Sequence, residues 1–171
     1  PTIEALRLGV DHVTHAADWS SDMLRPERRA AYEDARKANG PIKARLDWLE
    51  LLDLDSPEVV STINALRTSG ASMDPTLVAY DSKFRDPASP RYRTNAFVGY
   101  IPTLLDDWRK CQDIAEDWTQ ADYDRWTRLW PKLLAYVRRL HQAGVLLTTG
   151  SDITNPWVIP GESLHQEMEY L

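Results

Sequence analysis

Two long stretches of this chain place apolar residues at helical spacing, and short apolar runs lie between. Val59, Val60, Ile63 and Leu66 recur three and four apart, as do Trp126, Leu129, Trp130, Leu133, Leu134, Val137 and Leu140. That period puts each set on one helix face. Ser56-Pro57-Glu58 opens the first set with an N-cap, a proline at the first helical position and an acidic first turn. The second starts near Thr119, whose hydroxyl suits a cap, with Asp122 favourable near the helix dipole. Pro131 inside it predicts a kink or a restart. Residues 26–38 and 42–52 read as further helix, and Gly161 to Leu171 as a last one.

The short runs share one pattern. Leu6-Arg-Leu-Gly9-Val, Leu66-Arg-Thr-Ser-Gly70-Ala and Leu140-His-Gln-Ala-Gly144-Val each end a helical pattern on glycine, where a left-handed C-cap is cheap. A strand candidate follows each: Val10 to Thr14, Ser72 to Ala79, and Val145 to Thr149. Helix, glycine, strand, repeated, predicts α/β units and a parallel sheet. The three glycines stand about twice as far apart as the roughly 30 residues of a minimal βα unit. Each unit therefore carries an insertion. One is the helical material of residues 26–52; the other is Asp86-Pro-Ala-Ser-Pro-Arg-Tyr-Arg-Thr running on to Pro102. Both follow a strand, which in a barrel is the catalytic face, and both are candidate lids.

Composition narrows the function classes. With 171 residues the expectation is one domain with a sizeable core. A net charge of −6 gives no electrostatic footprint for nucleic acid or an anionic membrane, and no apolar run approaches the roughly 20 residues that span a bilayer. The one cysteine, Cys111, forms no intrachain disulfide, reads as inert packing and leaves the compartment open. Seven tryptophans read as core and loop packing. Pro1 stands where an initiator Met is expected, and the last helix lacks a glycine or asparagine cap. The expectation is a segment of a longer protein, cut at both ends.

Candidate chemistry follows from strand ends, which face the active site of an α/β barrel. Gly144-Val-Leu-Leu-Thr-Thr-Gly-Ser-Asp152 ends a buried strand on a carboxylate, and Gly9-Val-Asp-His-Val-Thr-His15 ends one on an imidazole. His12 and His15 point to opposite faces of a strand. His15 comes last, beside the small Ala16-Ala17, and is the candidate metal ligand; His12 is left under the helices. A hydrogen-bonded structural histidine is the alternative. Asp152 is costly if buried without a partner, and a metal would hold it ionised; a turn cap is the alternative. Tyr80 takes the strand-end position of the middle unit, where its hydroxyl reaches a substrate carbonyl or carboxylate, with Lys83 beyond it for an anion. His141 suits a helix C-terminus. His165, near Glu162, Glu167 and Glu169, imitates a metal cluster but reads as a solvated helix face, and Arg91 and Arg93 as a solvated loop. The chain has no phosphate-binding glycine loop, GxSxG, HExxH or paired CxxC.

Gly144 to Asp152, then Asn155-Pro156-Trp157, then Pro160-Gly161-Glu-Ser-Leu-His165-Gln-Glu167, resemble the last barrel strand and following helix of the amidohydrolase superfamily, imidazolonepropionase-related or prolidase-like branch. Gly9 to Ala16 resembles that branch's sixth strand and Asp74-Pro75-Thr76-Leu77 its seventh; Ser151 departs from the usual threonine. The resemblance implies a partial (β/α)8 TIM-type barrel, strands six to eight with long βα insertions. It implies one or two divalent metals, most often zinc. His15 would be the sixth-strand metal ligand, and Asp152 the eighth-strand aspartate that touches metal and shuttles the proton. The family's first-strand His-x-His pair, bridging carboxylated lysine and fifth-strand histidine would all precede residue 1. A catalytic zinc takes three protein ligands, and this chain supplies two.

The expectation is therefore the C-terminal part, residues 1–171, of a metal-dependent hydrolase barrel. It would hydrolyse a C–N bond in a small-molecule amide, imide or dipeptide-like substrate through metal-activated water. Catalysis belongs to the full-length parent, and this chain alone is incomplete and inactive. No nucleic acid or membrane partner is expected, and a homo-oligomer is compatible with the reading. Two rivals are a non-catalytic binding module that uses tryptophan-rich loops, and an esterase or lactonase with the same site.

Overall fold

The computed structural model describes residues 2–86, 96–110, 115, 117–153 and 155–171. The expectations for Arg91, Arg93 and Cys111, and for most of the second insertion, lie outside the described residues. In chain order the elements are α1 (Thr2–Arg7), β1 (His12–Thr14), α2 (Pro26–Leu51), α3 (Pro57–Ser69), β2 (Ser72–Asp74), α4 (Leu77–Phe84), α5 (Pro102–Lys110), α6 (Gln120–Gln142), β3 (Leu146–Leu147) and α7 (Glu162–Tyr170). Single 3₁₀ turns lie at Ser21–Met23 and Ala96–Tyr100. The result is a mixed α/β chain, mostly helical. The three strands pair in parallel in the order β1-β2-β3, with His12 opposite Ser72 and Met73 opposite Leu147. Among the described residues this sheet is open and closes no barrel. Every strand is also shorter than its sequence pattern suggested.

The glycine stops are where the pattern put them. Gly9, Gly70 and Gly144 take φ of +90°, +74° and +85°, and each turns the chain out of a helix toward its strand. Ser56 caps α3 by accepting the Val59 N–H at 3.2 Å. The predicted helices at 26–38 and 42–52 are one element, α2, broken at Gly40 (φ 77°, ψ 166°) beside Pro41. Only glycine takes that backbone freely, and the proline ring clashes with the preceding turn. α6 runs continuously through Pro131, so no restart occurs there. At its start the capping roles are exchanged: the Asp122 carboxylate accepts both the Thr119 N–H and hydroxyl, each at 2.8 Å.

The chain divides into two compact units, each assembled from two segments. The first holds Pro1–Pro75 and Leu129–Thr148. It contains the sheet, α1 to α3 and most of α6, around Leu46, Trp48, Leu66, Met73, Leu133 and Leu140, all 2% exposed or less. Here Lys132 of α6 closes the C-terminus of α2, donating to the carbonyls of Leu49 (2.7 Å), Glu50 (3.2 Å) and Leu52 (2.9 Å). Those are helix-end carbonyls without intrahelical partners. The second unit holds Thr76–Arg128 and Thr149–Leu171. Phe84 is fully buried there, with its ring stacked on Trp118 at 5.0 Å and tilted against Trp126 at 4.9 Å. Trp48, Trp108, Trp118 and Trp126 are buried, as packing predicts; Trp19, Trp130 and Trp157 are half-buried. Among the described residues no helix is long and apolar enough to cross a membrane.

One surface pair carries a pH signature. The Arg25 guanidinium donates to Asp53 at 2.7 Å. That hydrogen bond, seconded by the Asp55 N–H, holds the Asp53 carboxyl below its usual 3.8. A depressed carboxyl favours the folded state fully above 3.8, and the advantage disappears as pH falls through the lowered folded value. Arg25→Gln should therefore lower the melting temperature slightly at pH 7, with the difference from the unmodified protein vanishing once the pH lies below the lowered folded value. Parallel thermal melts by circular dichroism at the two pH values measure it.

Candidate functional site

Beyond Thr14 the chain leaves β1 through His15. Its N–H still donates to the Asp74 carbonyl at 2.8 Å, extending the ladder by one step. There the backbone turns left-handed, with φ 69° at His15, and the half-buried imidazole is followed by the buried pair Ala16-Ala17. His12 is not under helices as expected. It is exposed, and Nδ1 meets the Ser72 hydroxyl of the neighbouring strand at 2.7 Å. Parallel register places those two residues opposite one another, which explains the pairing.

The segment after β2 corrects the reading of Tyr80. The strand ends at Asp74 instead of running to Ala79, and the apolar run Leu77-Val-Ala-Tyr80 is the first half of α4. Tyr80 is therefore a helical side chain, 5% exposed, and not a strand-end group. Thr76 precedes the helix at φ 48°, an uncommon conformation for a β-branched residue. Its hydroxyl does not cap α4. The cap comes from Glu167 of α7, whose carboxylate accepts the N–H groups of Leu77 (2.9 Å) and Val78 (2.7 Å). A carboxylate at the positive end of a helix dipole, bonded to two orphan donors, is well satisfied even at 0% exposure. Asp81, 1% exposed, makes a second tie: it takes the Tyr170 hydroxyl at 2.7 Å and pairs with Arg85. Glu167 is thus no part of a solvated face. His165 is exposed on the same helix, and His141 sits exposed in the last turn of α6.

Asp152 lies in the segment that leaves the carboxyl end of β3, and it too is left-handed, at φ 51°. Its carbonyl accepts the Asn155 backbone N–H at 3.3 Å and the side-chain amide at 2.6 Å, which fixes the turn. The carboxylate is not a buried charge in need of a partner. Its side chain is 34% exposed, and Oδ2 lies 3.5 Å from the Lys83 ammonium in the last turn of α4. Lys83 itself is only 15% exposed, its stem packed and its charged end at the aspartate.

His15 belongs to the first unit and Asp152 to the second. Among the described residues no group of three or more His, Cys, Asp or Glu could hold a metal ion. The imidazole and carboxylate are suitable zinc donors in kind; in number they fall one short of a catalytic set. Sequence reading missed Glu167, Asp81 and the Lys83–Asp152 pair, because each joins residues far apart in the chain.

No protein-family model matches the sequence, and no curated protein does. A solved structure described as "AH, Bottromycin amidohydrolase" is similar at 23% identity, with a TM-score of 0.47; the match covers 98% of this chain and 43% of that one.

Proposed function

We propose that this chain is the C-terminal portion of a metal-dependent hydrolase barrel whose full-length parent cleaves C–N bonds in amide, imide or dipeptide-like small molecules. One observation carries the reading. His15 and Asp152 each follow the carboxyl end of a strand in a parallel sheet, and each sits in the left-handed region, at φ 69° and 51°. Backbone strain of this kind clusters at functional sites, and the carboxyl ends of parallel strands are where α/β proteins place their chemistry.

His15 and Asp152 are each proposed as a metal ligand in the parent, whose other ligands lie outside this chain. A divalent metal, if held there, would supply Lewis acidity for the substrate carbonyl and lower the pKa of water to about 7. Asp152 accepts the proton as water attacks the carbonyl carbon. It then delivers that proton to the leaving nitrogen as the C–N bond breaks, yielding a carboxylic acid and an amine. The half-buried His15 imidazole would offer a nitrogen donor.

The test is metal removal and return in the parent protein. Chelation should abolish hydrolysis across a panel of amides, dipeptides and lactones. Zinc at about 100 times its Kd should restore activity and stabilise the fold by about 2.7 kcal/mol. A parent that hydrolyses amides equally well after exhaustive chelation ends this reading.

A further inference from the structure

We propose that the outer face of α7 pairs two copies of this protein, helix against helix and antiparallel. The inference is independent of the hydrolase reading and starts from a helix whose faces are reversed. A surface helix ordinarily buries apolar residues and shows polar ones to water. In α7 the interior residues are Ser163, Gln166 and Glu167, each 9% exposed or less. Their polarity has a use on that side, where Glu167 caps α4 and Tyr170 bonds Asp81. Leu164, Met168 and Leu171 lie on the opposite side, at 40%, 49% and 44% exposure. At 3.6 residues per turn they fall within about 60° of arc. Single exposed apolar residues are ordinary, whereas a contiguous apolar stripe marks an interaction surface.

The spacing and the flanks of the stripe select its occupant. Steps of four and three residues are those of a coiled-coil seam. One flank is the interior Glu167; the other carries His165 and Glu169, both exposed and one turn apart. Two such helices packed antiparallel about a twofold axis bring Leu164 of each copy against Met168 of the other. Leu171 then lies over the exposed Gly161 at either end, large against small. The same rotation keeps both outer flanks on one side of the pair and reverses their direction. His165 of each copy stands beside Glu169 of the other, so an imidazole N–H meets a carboxylate twice. The face is thus complementary to itself in size and in charge. A parallel pair turns the two flanks to opposite sides and makes neither polar contact. A seam this short belongs with interfaces below roughly 1,200 Å², the range of transient complexes. The dimer is therefore weak and concentration-dependent.

Sedimentation of the full-length protein tests this, with circular dichroism confirming the fold of each variant. The dimer fraction should rise between about 10 µM and about 1 mM. Leu164→Lys and Met168→Glu should each sediment as a monomer over that range, because each sets a charge against an apolar side chain of the second copy. An equimolar mixture of the two variants should associate again. In the mixed pair the new lysine meets the new glutamate at one layer, and Met168 meets Leu164 at the other. Restoration by mixing requires that these two positions face each other across two molecules. A protein that stays monomeric throughout the range overturns the proposal. So does a dimer that survives both substitutions, which would use another face, or a mixture that stays monomeric. If both variants unfold the chain, the stripe is covered within one molecule and the proposal falls.

Discussion

On the proposed function, Asp152→Asn should cut amide hydrolysis by the parent protein by about three orders of magnitude while leaving the metal-free fold intact. Positioned proton transfer contributes about 10²–10⁴-fold on its own, and an amide can neither accept the proton nor serve as an anionic ligand. The fold should survive for local reasons. Asparagine is among the few residues that tolerate φ near +50°, so the turn built on the Asp152 carbonyl and Asn155 remains available. The ion pair with Lys83 that is lost is about one-third exposed on the aspartate side, and such pairs contribute at most about 1 kcal/mol. The measurement is kcat and KM on the best amide of the panel, beside a thermal melt. A fall in kcat, with the melting temperature of the metal-stripped protein near-constant, supports the role. Wild-type kcat in a folded Asp152→Asn protein removes Asp152 from the chemistry.

The largest effect on stability should come from Glu167→Ala. It strips two buried N–H groups at the head of α4 of their acceptor and leaves a void where the carboxylate stood. Hydrogen bonds to charged groups contribute about 1.5–3 kcal/mol each, and an orphaned buried donor keeps its full desolvation penalty. A loss of about 3 kcal/mol or more is expected, or roughly 6–12 °C in melting temperature for a chain of this size. Glu167→Gln should fall between the two. It keeps one acceptor oxygen but turns an NH₂ toward the other backbone donor. Chemical and thermal unfolding followed by circular dichroism give both numbers. An alanine variant that melts within a degree or two of the original would show that α4 does not depend on this cap.

The contrast between those two residues explains what was legible. Asp152 stood out because its signal is local: a glycine stop, an apolar run, then a carboxylate. His15 stood out by the same grammar, and the three C-cap glycines by the backbone they alone adopt freely. Glu167 looked like one more charge on a solvated helix. Nothing within several residues of it announces that its carboxylate meets Leu77 and Val78, about half the chain away. Residues 75–84 failed for a related reason. A short apolar run after a proline fits strand and helix equally well by period. The choice was made by Thr76 turning left-handed and by a cap from α7.

Alone, the order of residues determined the alternation of helix, glycine and strand, the parallel pairing of three strands, and two candidate side chains just past strand ends. Those are consequences of backbone preference and apolar period, which act over a few residues. Only the tertiary structure decided where each strand stops, that Tyr80 belongs to a helix, that Glu167 is interior, and that Asp152 already has a cation in Lys83. Those outcomes depend on desolvating a charge beside a partner distant in sequence, and that energy exists only once the chain has brought the two together.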